Sequence, residues 1–233
     1  MEQWTEGFGW YVAFLVSVTC HEAAHALAAL KLGDQTAYNH GQVTLDPVPH
    51  IRREPWGMVI IPIVSFAMGG WMMGWGSAAY DPRWAMDYPK RSAFMAMAGP
   101  CANLLLVILS GLVIRVGLWY GLFNAPEKIT FIRTVIPASG YSLAGVAGFL
   151  SLLFTLNIIL LFFNLLPVPP LDGSAFPLLF LDRHSAHTYM TWMTHPTGFW
   201  IGILVAWRVF DFIFPPIHTF ALNILYLGIA QYG

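Results

Sequence analysis

The chain reads as an all-α polytopic membrane protein, with about five full transmembrane helices, a broken or re-entrant segment near 57–77 and a short β-strand near 42–46. Three observations lead there. Of 233 residues, 57% are hydrophobic and only 10% charged, where a soluble domain carries roughly 25% charged residues; the mean hydropathy is +0.61. Several apolar runs reach the roughly 20 residues that a helix needs to cross a bilayer. Aromatic residues make up 15%, ten of them tryptophan, which suits a protein with two membrane interfaces to anchor. The net charge is −1 and no basic block occurs, so nothing points to nucleic acid as a partner.

In chain order, full spans are expected near 8–32, 92–118 and 141–165, followed by a hairpin over 197–231. Pro215 and Pro216 would make the tight connection between its arms, 197–214 and 217–231. The stretch 57–77 is apolar but interrupted by Pro62, Gly69, Gly70, Gly74 and Gly76. Such backbone survives at membrane depth only when buried in protein or lining a wet cavity. Ahead of it, Gln42, Val43, Thr44 and Leu45 alternate as a strand does, and such a strand could receive an extended peptide at its edge. With no repeat and no connection long enough for a soluble unit, residues 1–233 read as one membrane-embedded domain, its core at 8–180. Cys20 and Cys101 both lie in apolar runs, so two buried, unpaired thiols are expected. The N-terminus lacks a basic stretch and a small-residue cleavage site, so the first span is expected to stay in the mature protein.

That first span contains VSVTCHEAAHALAALKLG. An ionisable residue near the bilayer centre costs about 2.5–3.5 kcal/mol, and His21, Glu22 and His25 fall within five positions. Spacing of four puts both histidines on one helix face, one turn apart. This is H-E-x-x-H, in which two imidazoles hold a zinc ion and the glutamate is general base. Neutral imidazoles leave the ion enough positive charge to activate water, and a carboxylate beside it can take the proton.

A catalytic zinc site needs a third protein ligand. The metzincin extension would require glycine at 28 and histidine at 31, where this chain has Ala28 and Lys31. Asp34, Asp46, Glu54, Asp81 and Asp87 sit in polar connections and read as solvated. Asp172 differs, because it follows a long apolar span in NLLPVPPLDGSAF. There Pro167, Pro169 and Pro170 force the helix to stop and continue extended, and Gly173 lets the backbone approach a neighbour closely. A solvated aspartate in a proline-rich turn is the plainer alternative. The remaining histidines, His40, His50, His184, His187, His195 and His218, read as loop or interface residues.

These residues resemble the site-2 protease family of intramembrane zinc metalloproteases, in its small prokaryotic branch without PDZ or CBS domains. HEAAH at 21–25 is similar to the family's first motif and N-x-x-P-x-P-P-L-D-G at 164–173 to its second; AGPCAN at 98–103 resembles its A-G-P-x-x-N. KLGDQTAYNHGQVTLDP at 31–47 resembles the loop that follows H-E-x-x-H in this branch. The resemblance implies that His21, His25 and Asp172 bind one zinc ion, that Glu22 is the catalytic base, and that Asn164 helps polarise the scissile carbonyl. Asn103 reads instead as a packing residue near the site. The implied activity is hydrolysis of a peptide bond within or near a transmembrane segment of a membrane-protein substrate. A homo-oligomer or a regulatory partner is compatible with it. The rival expectation is a membrane metal-binding or transport protein, for which Glu22 would be dispensable.

If His21, His25 and Asp172 share one ion, the first span and 141–165 run the same way, so 57–77 dips in and returns between them. Lys31, Arg52, Arg53, Arg83, Lys90, Arg91 and Arg183 then fall on one side, seven against four. That bias places the N-terminus outside a cell membrane and the site opening toward the cytoplasm.

Overall fold

Helix α1 (Glu2–Leu32) opens the computed structural model, which describes residues 2–232 and the side chains from Glu6 onward. At 1.5 Å per residue its 31 residues extend about 46 Å, longer than the roughly 30 Å bilayer core. It ends at Gly33, whose φ of +108° reverses the chain. Two short helices follow, α2 (Thr36–Asn39) and α3 (Pro47–Arg53), the latter capped by Asp46 accepting from the Val48 amide. A π-helical turn, Trp56–Ile60, leads into α4 (Ile61–Gly69). Then come α5 (Pro82–Asp87), α6 (Pro89–Trp119), the paired strands β1 (Phe123–Asn124) and β2 (Ile136–Pro137), and α7 (Ala144–Asn164). A 3-10 segment (Asp172–Leu179), α8 (Arg183–Met193) and α9 (Pro196–Leu225) complete the described chain.

Four helices, α1, α6, α7 and α9, are long and apolar enough to cross a membrane, where the sequence pattern suggests five. The difference lies at the C-terminal end. Pro215 and Pro216 sit inside one continuous helix of 30 residues instead of turning a hairpin. Each proline removes one hydrogen bond, a local loss that does not by itself reverse the chain. An arm of 217–231 would also reach only about 22 Å. Arg115 of α6 ties down the end of α9 by donating to the carbonyls of Leu225 and Leu227.

The strand expected at 42–46 is absent, and that stretch is a series of bends. Its alternation has a different cause. Gln42 is fully buried because its amide clamps another segment, and Thr44 accepts from the Asp46 amide, a local bond that competes with strand pairing. The strands that do form, β1 and β2, lie far along the chain and have two residues each.

Residues 57–81 double back along α1. Phe66 lies against Gly7 near the start of α1, Gly74 packs on Phe14, Gly76 on Val18 and Glu22, and the Asp81 amide donates to Asp34 beyond its end. Nine-residue α4 covers about 14 Å, too little to cross, so Gly70 (φ +72°) turns the chain and an extended strap, 72–81, carries it back.

α6 runs antiparallel to α1, since Met95 meets His25 while Asn103 meets His21 one turn earlier. α7 runs parallel to α1, with Leu152 beside Gly9 and Asn157 bonded to Ser17. Small residues let the helices close: Ala13, Ala26, Ala29 and Ala93 are wholly buried. Trp10, Phe14, Val18, Met58, Met72, Leu152 and Leu156 form the core between α1, the doubled-back segment and α7. Neither cysteine is paired, but Cys101 is exposed and Cys20 half-buried, because each lies on an outward flank of its helix.

Candidate metal centre

His21 and His25 project from one face of α1 into a buried space bounded by α6 and by the segment after α7. Asp172 enters from that segment. The prolines at 167, 169 and 170 end α7 and carry the chain across α9, where Gly202 packs on the Pro169 backbone. Gly173 then fits against the Leu165 and Leu166 carbonyls, where no Cβ has room. The carboxylate is thereby turned back on the histidines.

His21 Nε2 lies 3.0 Å from His25 Nε2 and 3.0 Å from Asp172 Oδ2, and His25 Nε2 lies 3.3 Å from the same oxygen. Ligand atoms about 2.0–2.1 Å from a tetrahedral zinc ion stand about 3.3 Å apart, so the triangle fits one such ion. Asp172 Oδ2 is buried and has no hydrogen-bond partner among the described residues. An orphaned carboxylate oxygen facing two imidazole nitrogens is the donor set that a divalent cation satisfies. His21, His25 and Asp172 therefore form a cluster able to coordinate a metal ion.

The outer ring nitrogens are engaged as well. His25 Nδ1 lies 2.8 Å from the Met95 carbonyl, which only accepts, so this ring donates from Nδ1 and keeps Nε2 free. His21 Nδ1 lies 2.5 Å from Asn103 Oδ1. Gly99, one turn before Asn103 on α6, closes the space: a Cβ there would stand 2.5 Å from His21 Nε2 and closer still to His25 Nε2.

Glu22 is also buried, 6% exposed, on the flank of α1 covered by the strap. A Cβ on Gly76 would stand 2.6 Å from Glu22 Cγ and 2.9 Å from Oε1. The strap is held on one side only. The Trp75 amide donates to the Gly57 carbonyl, the Gln42 amide donates to the Ser77 carbonyl, and the Ala79 amide donates to Gln42. Successive residues of an extended chain face opposite ways. Gly76 and Ala78 thus present the other edge, and their amides have no partner among the described residues.

Asn164 is the last residue of α7, half-buried, and its side chain makes no hydrogen bond among the described residues. The other histidines lie outside the cluster; His50 is 1% exposed rather than a surface residue, its Nε2 bonded to the Thr44 carbonyl. Asp34 also departs from expectation. It is buried and accepts from the Thr36 hydroxyl, the Asp81 amide and the Thr36 amide. Although burial raises its pKa, those three bonds outweigh it and hold the carboxyl below its usual range. Asn103, expected only to pack, touches a ligand ring, and Gly99, Gln42 and Gly76 shape the site without any ionisable group to mark them in the sequence.

A His-His-Asp cluster able to hold a metal ion, set in a bundle of membrane-length helices, fits the membrane-embedded metalloproteins as a class. The chain belongs to peptidase family M50, the site-2-protease-like zinc metalloproteases, whose model matches residues 10–205. It is 32% identical over 163 residues to YwhC of Bacillus subtilis and 34% identical over 167 residues to Rip2 of Mycobacterium tuberculosis, both provisionally named zinc metalloproteases. These alignments cover 70% and 72% of this chain but 64% and 53% of the relatives, so the chain spans between half and two thirds of their length. Rip2 of Mycolicibacterium smegmatis is 29% identical over 71% of the chain and 52% of its own length. No solved structure matches.

Proposed function

We propose that the protein is an intramembrane zinc endopeptidase, multi-pass in a cell membrane, that hydrolyses a peptide bond within or near a transmembrane segment of another protein. The observation that carries this reading is the meeting of a metal-binding triad with a buried glutamate under a strap whose outer edge is open. His21, His25 and Asp172 would hold the ion. Zinc bound there would act as a Lewis acid that activates water and polarises a carbonyl.

The chain's own residues do the rest. Glu22 takes a proton from the attacking water and returns it to the leaving amine. A transmembrane helix protects its carbonyls by internal hydrogen bonds, so a substrate must first unwind. An unwound segment pairs with the open edge at Gly76 and Ala78, a role the alternation of polar and apolar residues assigns to 42–46, where no strand forms. That pairing lays a peptide carbonyl beside Glu22, because Gly76 touches Glu22. Asn164, at the end of α7, supplies an amide toward the substrate carbonyl. The doubled-back segment 57–77 re-enters the membrane without crossing it, and irregular backbone at that depth lines a wet path to the site. The charge bias sets the N-terminus outside and this opening toward the cytoplasm.

The test uses purified wild type and Glu22→Gln with single-span model substrates that carry helix-breaking residues, and reads products by mass spectrometry. Cleavage inside the span by wild type, abolished by a zinc chelator, restored by zinc and absent in Glu22→Gln, is the expected result. Cleavage that persists in Glu22→Gln would overturn the assignment.

A further inference from the structure

A line of four buried polar side chains runs from the backbone of α1 through α7 and α6 to the metal centre. Ser17, Asn157 and Asn103 are each 0% exposed, and His21 is 7% exposed. The Ser17 hydroxyl donates to the Ala13 carbonyl at 2.7 Å. Asn157 Nδ2 donates to Ser17 Oγ at 2.9 Å and to the Leu153 carbonyl at 2.7 Å. Asn103 Nδ2 donates to Asn157 Oδ1 at 2.8 Å, and Asn103 Oδ1 faces His21 Nδ1 at 2.5 Å.

The direction of this line follows from its anchors. An amide can be turned end for end, but a backbone carbonyl only accepts. Leu153 therefore requires the NH₂ end of Asn157 beside it, and both hydrogens of that end are used. Asn157 must then offer its oxygen to Asn103, which must present its NH₂ end there and its oxygen to His21. His21 is left one choice, to donate from Nδ1. Reversing the line would set Asn157 Oδ1 against the Leu153 carbonyl at 2.7 Å, two acceptors with no proton between them and too close for a water to intervene.

We infer that Asn157 is a positioning residue for the metal centre: anchored on the Leu153 carbonyl, it acts through Asn103 to hold His21 in the tautomer whose Nε2 lone pair faces the metal. The inference rests on the metal-centre reading above. It also explains how two histidines of one helix reach the same state by different means. His25 is set directly by a backbone carbonyl and His21 at a distance by an amide relay. Ligand histidines are generally oriented by their second hydrogen bond, and losing it costs about 10–100-fold in metal affinity.

The experiment is a zinc competition titration against a chromophoric chelator, on the full chain in detergent, with Asn157→Leu made in two backgrounds. With native Asn103, Asn157→Leu should weaken zinc binding about tenfold. In an Asn103→Leu background the relay is already cut, and Asn157→Leu should change affinity by less than about twofold, the non-additivity expected of coupled residues. Ser17→Ala should cost less than about threefold, because the Leu153 bond still pins Asn157. An equal loss in both backgrounds means a packing role and overturns the inference, as does unchanged affinity with native Asn103. Zinc bound by wild type but not by His21→Ala keeps the metal reading intact in that event; no zinc in wild type removes both. Should Asn157→Leu fail to fold, ¹⁵N spectra of histidine-labelled, metal-free wild type decide. His21 protonated on Nδ1 agrees with the relay, and His21 carrying its only proton on Nε2 refutes it.

Discussion

Replacing Gly99 by alanine adds one methyl group to α6 and should empty the metal centre. The new Cβ would stand 2.5 Å from His21 Nε2 and closer to His25 Nε2, against an ordinary contact distance of about 3.5 Å. Something must yield by about 1 Å. The imidazoles cannot swing aside cheaply, because Asn103 and the Met95 carbonyl hold their Nδ1 atoms. Metal sites tolerate ligand displacements of about 0.2 Å. Zinc affinity should therefore fall at least about 100-fold, or about 2.8 kcal/mol. Folding should survive, since alanine favours an interior helix position over glycine by about 1 kcal/mol. The assay is chelator competition on Gly99→Ala beside Gly148→Ala, where a Cβ meets nothing within 4 Å. Zinc affinity of Gly99→Ala within about threefold of wild type would refute the placement of α6 against the ligands.

Other substitutions separate metal binding from catalysis and from folding. Glu22→Gln should keep its zinc and lose cleavage by about 100-fold or more, checked by metal analysis and product formation in parallel. Gly76→Ala should likewise spare zinc while cutting cleavage, because its Cβ would press on Glu22 and not on the ligands. Gln42→Leu strips the Ser77 carbonyl and the Ala79 amide of their partner, and should cost about 1–3 kcal/mol, visible as a lower Tm with zinc still bound. Asp34 makes stability pH-dependent in a definite direction. Its carboxyl is held below the usual range, so its stabilisation is full above the unfolded value of about 3.9 and is lost as pH falls through the folded value. The Tm advantage of wild type over Asp34→Asn should accordingly shrink on acidification from pH 6; an advantage that grows would contradict the bonds drawn to Asp34.

The parts of this molecule legible in its sequence are those where burial makes a residue costly. Three ionisable side chains within one apolar span needed a common partner, and His21 and His25 proved to share one space with Asp172. Parallel α1 and α7 followed from that same requirement. Where local pattern competes with tertiary context, the reading slips. Pro215-Pro216 resembles a turn, yet the helix continues because loss of two hydrogen bonds does not reverse a chain. Gln42 to Leu45 alternate like a strand, but Gln42 is buried for its amide, not for its place in a ladder. The strap carries no periodicity, since its shape comes from glycines packed on α1 and from bonds to residues more than thirty positions away. Asn103 and Asn157 are two among several polar residues scattered through largely apolar helices, and only their juxtaposition across α6 and α7 reveals a relay. One signal was available: Ser17, His21 and His25 recur at intervals of four, marking one polar face of α1.

The central claim is that His21, His25 and Asp172 hold one zinc ion, and metal content tests it without knowledge of any substrate. Zinc per chain should be measured in detergent-purified wild type, His21→Ala, Asp172→Ala and Glu22→Gln after metal repletion. The account predicts about one equivalent in wild type and Glu22→Gln, and a clear loss in the other two. A wild type that takes up no zinc, or an Asp172→Ala variant that binds it unchanged, would contradict it.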